Sequence, residues 1–103
     1  MTDDYDSRFA ALQRNYLERV AEDLDRLIEL QTMLGEAEAG DEVYGIVHRL
    51  AGTGGTMGFP AIGEAAVDLE ELLEREEASV DEREAAVEVF CDEVRDVLEA
   101  ESP

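Results

Sequence analysis

Asp41-Glu42-Val43-Tyr44-Gly45-Ile46-Val47-His48-Arg49-Leu50-Ala51-Gly52, running on through Thr53-Gly54-Gly55-Thr56-Met57-Gly58-Phe59-Pro60, is the stretch on which the fold turns. Placed at roughly 100° per residue, Val43, Val47, Leu50 and Met57 fall within about 80° of arc, the stripe of an amphipathic helix. Asp41 stands where an N-cap belongs. Gly58 stands where the helix should end, and Pro60 suits the first turn of the next one.

The flanking segments repeat that pattern. From about Asp6 to Leu34, the residues Phe9, Leu12, Tyr16, Leu17, Val20, Leu24, Leu27, Ile28 and Leu34 recur at three- and four-residue intervals, with Gly35 placed to close the helix. Beyond Pro60 come Ile62, Ala65, Ala66, Leu69, Leu72 and Leu73 on a third helix. Ser79 to Glu82 marks a break, where Asp81 with Glu84 fits a capping box. A fourth helix carries Val87, Phe90, Val94, Val97 and Leu98. Four amphipathic helices on short loops predict an all-α, antiparallel up-down four-helix bundle. With 103 residues, the chain is expected to form one domain over 1–103.

The charge is lopsided: 8 Lys+Arg face 28 Asp+Glu, a formal net charge of −20, and there is no lysine. Such a surface repels phosphate backbones and anionic membranes, so neither nucleic acid nor membrane is an expected partner. The acidity fits a salty source cytoplasm, or an acidic protein kept soluble by its charge. Met1 to Tyr5 is acidic and has no apolar run, so no signal peptide is read there. The one cysteine, Cys91, lies on the last apolar stripe and is expected to be a buried, inert thiol. A cytoplasmic monomer is the expectation.

His48 is the only histidine. On the wheel it lies about 140° from Val43, away from the core. Its neighbours three and four residues off are Tyr44, Gly45, Ala51 and Gly52, with Gly55 continuing a bare strip. Glycine inside a helix costs about 0.8–1 kcal/mol relative to alanine, so Gly45, Gly52, Gly54 and Gly55 would together cost roughly 3 kcal/mol if all were helical. Close helix packing accounts for Gly54 on the apolar side. It does not account for Gly45 and Gly52 on the solvent side. Cleared ground around an exposed imidazole suits a large partner or a phosphoryl group, because neutral imidazole is a nucleophile populated at cell pH.

His48-Arg49-Leu50-Ala51-Gly52 followed by Gly58-Phe59 resembles the signature of histidine-containing phosphotransfer (HPt) domains. The resemblance implies a phosphocarrier of a two-component phosphorelay, not an enzyme with its own ATP site. Its partners would be response-regulator receiver domains and/or a hybrid sensor histidine kinase. No cofactor or metal is expected, with Mg²⁺ belonging to the receiver. By the same resemblance His48 is the phosphoacceptor, Gly52 leaves room for the phosphoryl group, Leu50 anchors the helix and Gly58 closes it. One position departs: the family usually has lysine where this chain has Ala51. Arg49 is the nearby cation. It either bends round toward the site or helps the partner dock, or it is a solvated surface arginine. Tyr44 is expected to pack beside His48 and shape the docking patch.

Other readings are weaker. Gly52 to Gly58 lacks the lysine of a P-loop and the third glycine of a dinucleotide fingerprint. No acidic residue sits three before His48, as a bundle metal site would need. Met33 and Met57 are expected to fill core. A non-phosphorylated adaptor that binds receivers, or a plain helical interaction domain, are the alternatives.

Overall fold

The computed structural model describes residues 2–102, with side chains from Asp4 onward; Met1 and Pro103, the ends of the expected domain, lie outside the described residues. Four helices follow in order: α1 (Thr2–Leu30), α2 (Ala37–Thr53), α3 (Pro60–Leu73) and α4 (Val80–Glu101). Each packs on the one before it, α4 closes back on α1, and among the described residues the diagonal pairs do not meet. The result is the all-helical four-helix bundle that the periodicity predicts.

The core is apolar throughout: Val20, Leu27, Val43, Val47, Leu50, Ile62, Val87, Cys91 and Val94 are almost fully buried, and among the described residues no polar or charged one is. Burying a side chain of this size stabilises by about 1.5–3 kcal/mol. The stripe on α2 is wider than the wheel showed, since Ile46 is buried too.

Several boundaries differ from the sequence reading. Helix α1 begins at Thr2, a turn ahead of Asp6, and stops at Leu30, where the Met33 amide donates to the Leu30 carbonyl in a tight turn. Gly35 therefore does not close it, and its backbone is not left-handed. Asp41 is not the cap of α2; that helix starts a turn earlier, after Glu36. Asp81 with Glu84 does not cap α4. Ser79 does, its hydroxyl accepting from the Glu82 amide at 3.1 Å. The same spacing rule holds two residues upstream, where serine is free to leave the helical backbone.

The ends of α1 also differ. Phe9, Leu12 and Ile28 are exposed, and so is Met33, which does not fill core. Helix α1 has 29 residues against 17 in α2 and 22 in α4, the two helices it packs on, so part of it outruns them. Met57 lies past the end of α2 but still packs against the core.

Two glycine features set how α2 and α3 meet. A β-carbon on Gly54 would lie 2.5 Å from the Gly63 backbone nitrogen, so only glycine lets the two backbones approach there. Gly58 has φ 90°, the left-handed conformation that turns the chain from the 54–57 turn into α3. Gly58 thus does not close α2, which ends at Thr53 with Gly54 as C-cap. It makes the corner.

Candidate functional site

His48 stands on the outward face of α2, and its side chain is 70 % exposed. The same face carries Gly45, Gly52 and Gly55, and a β-carbon on any of them would meet nothing within 4 Å. Helical Gly45 and Gly52 together cost about 2 kcal/mol of helix propensity. The strip is bare because these residues have no side chains, not because neighbours crowd them out.

The close approach at Gly54 and Gly63 fixes the register of two antiparallel helices. Counting back along α2 and forward along α3 brings His48 opposite Glu70, and Tyr44 opposite Glu74. Both pairs are bonded. Nδ1 of His48 meets the Glu70 carboxylate, and the Tyr44 hydroxyl donates to Glu74 Oε1 at 2.5 Å. Tyr44 and His48 are also stacked, with ring centroids 6.0 Å apart and planes 14° from parallel. Tyr44 therefore lies beside the imidazole, as its position one turn away suggested.

The Glu70 bond has a chemical consequence. A carboxylate only accepts, so Nδ1 must carry the ring proton. In the neutral ring the lone pair then sits on Nε2, which has no hydrogen-bond partner among the described residues. Glu70 is itself only 18 % exposed, so the packing of α3 holds it in place. The Glu74 carboxylate, accepting from the Tyr44 hydroxyl, keeps that phenol protonated up to about 12.

Arg49 goes elsewhere. Its guanidinium bonds Asp23 on α1 at 2.7 Å, and Asp23 is 18 % exposed. It does not turn toward the imidazole. A second clamp, Arg26 with Glu42 at 2.5 and 2.8 Å, ties the same two helices. Ala51 packs partly against the core and, with Gly55, Gly63 and Val67, lines a groove of about 370 Å³ between α2 and α3. Leu50 is 2 % exposed, within the core.

Sequence reasoning missed Glu70 and Glu74 as partners of the site. Their signal was present, because two carboxylates four apart, one on α3 and one at its C-cap, match two rings four apart on α2. Among the described residues no group of three or more His, Cys, Asp or Glu is placed to hold a metal ion.

The exposed histidine on a glycine-stripped helix, in a bundle of this connectivity, agrees with the family comparison. The Hpt domain model matches residues 11–101. The chain belongs to the Hpt domain family. Hpt domains are phosphocarriers in histidine phosphotransfer, and they work with response-regulator receiver domains or histidine kinases. No curated protein and no solved structure gives a significant match to this Hpt chain. Among the described residues no helix is long and apolar enough to cross a membrane.

Proposed function

We propose that this Hpt domain carries a phosphoryl group on Nε2 of His48 and exchanges it with the aspartate of a receiver domain. The observation that carries this reading is the exposed ring whose Nδ1 is bonded to Glu70 while Nε2 is left open. Glu70 fixes the ring's tautomer and orientation, so the nucleophilic lone pair on Nε2 is left free for the incoming group. Gly52 keeps the phosphoryl position open, with Gly45 and Gly55 extending the clearance for the partner's surface. Tyr44, and the groove lined by Ala51 and Val67, supply apolar contact for a transient interface.

The chain needs no cofactor of its own. Mg²⁺ and most of the charge stabilisation at the transferring phosphorus come from the receiver. The natural setting is the cytoplasm, where the domain acts as a monomer between a kinase and a receiver.

Incubation with isotopically labelled phosphoramidate tests the assignment directly. Wild-type chain should take up acid-labile label and pass it to a receiver with Mg²⁺. His48→Gln should keep its helical spectrum and take up none. Label persisting in His48→Gln would refute the assignment. An unlabelled wild type that still binds receivers would instead favour a docking adaptor, a reading that the engagement of Arg49 with Asp23 supports.

A further inference from the structure

We propose that the groove between α3 and α4 is a second docking surface, which takes a basic amphipathic helix of a protein partner and leaves His48 free. Its inside is apolar. The buried Leu69 and Phe90 form the floor, Leu72 and Val89 the walls, and Ala65 and Ala86 are too small to fill it. Val89 is 56 % exposed, on a helix whose outward positions are mostly charged. The space is about 250 Å³, below the roughly 300–1,000 Å³ of small-molecule sites. It suits one or two apolar side chains of another protein.

The shape selects a helix. Ala65 to Leu72 on one side and Ala86 to Glu93 on the other run for two turns, about 10 Å along the axis. A helix laid in such a trough packs ridge into groove and anchors itself through residues one and two turns apart. No strand among the described residues offers an edge to an extended peptide. The place leaves the phosphoryl site open. Glu70, which meets His48, lies roughly 150° round α3 from the groove, so a partner here and a receiver at His48 do not compete.

The rim decides the partner's charge. Asp68 stands at one edge and Glu93 at the other, and among the described residues neither makes an ion pair. Helix α3 has no basic residue. On α4, Arg83 donates to the Arg75 carbonyl at 2.6 Å. Arg95 bonds Asp92, roughly 170° round the helix from the groove. This is a local property and not only the average of an acidic chain. Between α1 and α2, by contrast, Arg26 with Glu42 and Arg49 with Asp23 neutralise carboxylates in pairs. The cations that complete the α3–α4 rim have to come from another chain. A second copy would bring the same carboxylates to it, and like charges repel. Lysines or arginines flanking an apolar stripe complement both the rim and the floor.

The test titrates the whole chain with a synthetic peptide of about 18 residues, long enough to hold a helix, with leucines on one face and lysines elsewhere. Amide shifts of the isotopically labelled chain report where it binds. They should move at Ala65, Leu72, Ala86 and Val89 and stay still at Gly45, His48 and Gly52. A scrambled isomer of the peptide, with the same charge and no stripe, should bind roughly tenfold more weakly. Val89→Asp should also weaken binding roughly tenfold, although it makes the chain more acidic. Asp68→Asn with Glu93→Gln should weaken it several-fold. Glu18→Gln with Glu22→Gln, the same charge change on exposed positions of α1, should not. All these positions but Asp68 and Glu93 lie off the rim, and every one of them is exposed, so the variants should keep the bundle's helical spectrum. Raising salt from about 0.1 to 1 M should weaken binding without abolishing it, because the apolar contact survives screening. Equal or tighter binding to Val89→Asp, or equal losses from the α1 and rim pairs, would show attraction to net charge alone and overturn the proposal. Shifts centred on His48 would overturn it too. So would concentration-dependent shifts at the groove without peptide, which would assign it to a second copy.

Discussion

Tyr44 and His48 are one turn apart on α2, and Glu74, the C-cap of α3, follows Glu70 by one turn, so each ring meets its own carboxylate. The bond from Tyr44 to Glu74 raises that phenol from 10 to about 12. A group whose folded value is raised contributes stability below its unfolded value and loses that contribution as pH climbs through the folded one. This contribution should therefore be complete below pH 10 and disappear between 10 and about 12. A difference titration of the phenolate band, wild type minus Tyr44→Phe, should show one phenol ionising near 12, and Glu74→Gln should lower it toward the ordinary value, with burial and Glu70 still acting on it. No change in Glu74→Gln would mean that the bond does not form in solution. Cys91 gives a second reading at this scale. It is 2 % exposed, and burial pushes its thiol up to about 11. Alkylation of native protein should be slow and should follow the unfolding rate. His48 was legible in the sequence because the glycines around it contradict helix propensity with no packing reason. Glu70 was not, because its partner depends on a register between two helices, and periodicity within one helix does not contain that.

The register itself belongs to the scale of elements. Gly54 and Gly63 bring α2 and α3 into backbone contact, and His48 with Glu70 follows from that crossing. Gly54→Ala forces a methyl against the Gly63 backbone and should cost about 1–3 kcal/mol, the range of overpacked cores. Gly45→Ala meets nothing within 4 Å and should stabilise by about 1 kcal/mol. Denaturant midpoints of the two variants should therefore move in opposite directions. Midpoints moving together would show that the open strip is not what separates them. Helix existence was legible throughout, since apolar spacing alone gives a 3.6-residue period. Helix ends were not. Asp41 has the chemistry of a cap, but Ala39 is buried 5 % exposed on the turn before it, and that contact extends α2 past the aspartate. Ser79 won over Asp81 because its hydroxyl reaches the Glu82 amide.

Across the whole molecule, net charge opposes compactness. The bundle is 52 Å long and about 22 Å across, with −20 charges spread over it. Its arginine pairs are exposed, and pairs of that kind stabilise by only about 0–1 kcal/mol each. Two of them, Arg26 with Glu42 and Arg49 with Asp23, clamp α1 to α2. Raising salt weakens these clamps and the repulsion together. The repulsion is summed over many carboxylates with few cations between them, so its loss is the larger effect. The screening length falls from about 10 Å at 0.1 M salt to about 3 Å at 1 M, which silences charges on neighbouring turns. The unfolding temperature should accordingly rise by several degrees over that range, since roughly 1 kcal/mol moves a domain of this size by about 4–8 °C. The cleanest check compares wild type with Arg26→Gln and Arg49→Gln. If repulsion dominates, all three should gain with salt, and the variants, each one charge more acidic, should gain more. A wild type that loses stability between those salt concentrations would show that the clamps outweigh the repulsion. The charge balance would then say nothing about the conditions in which the bundle works.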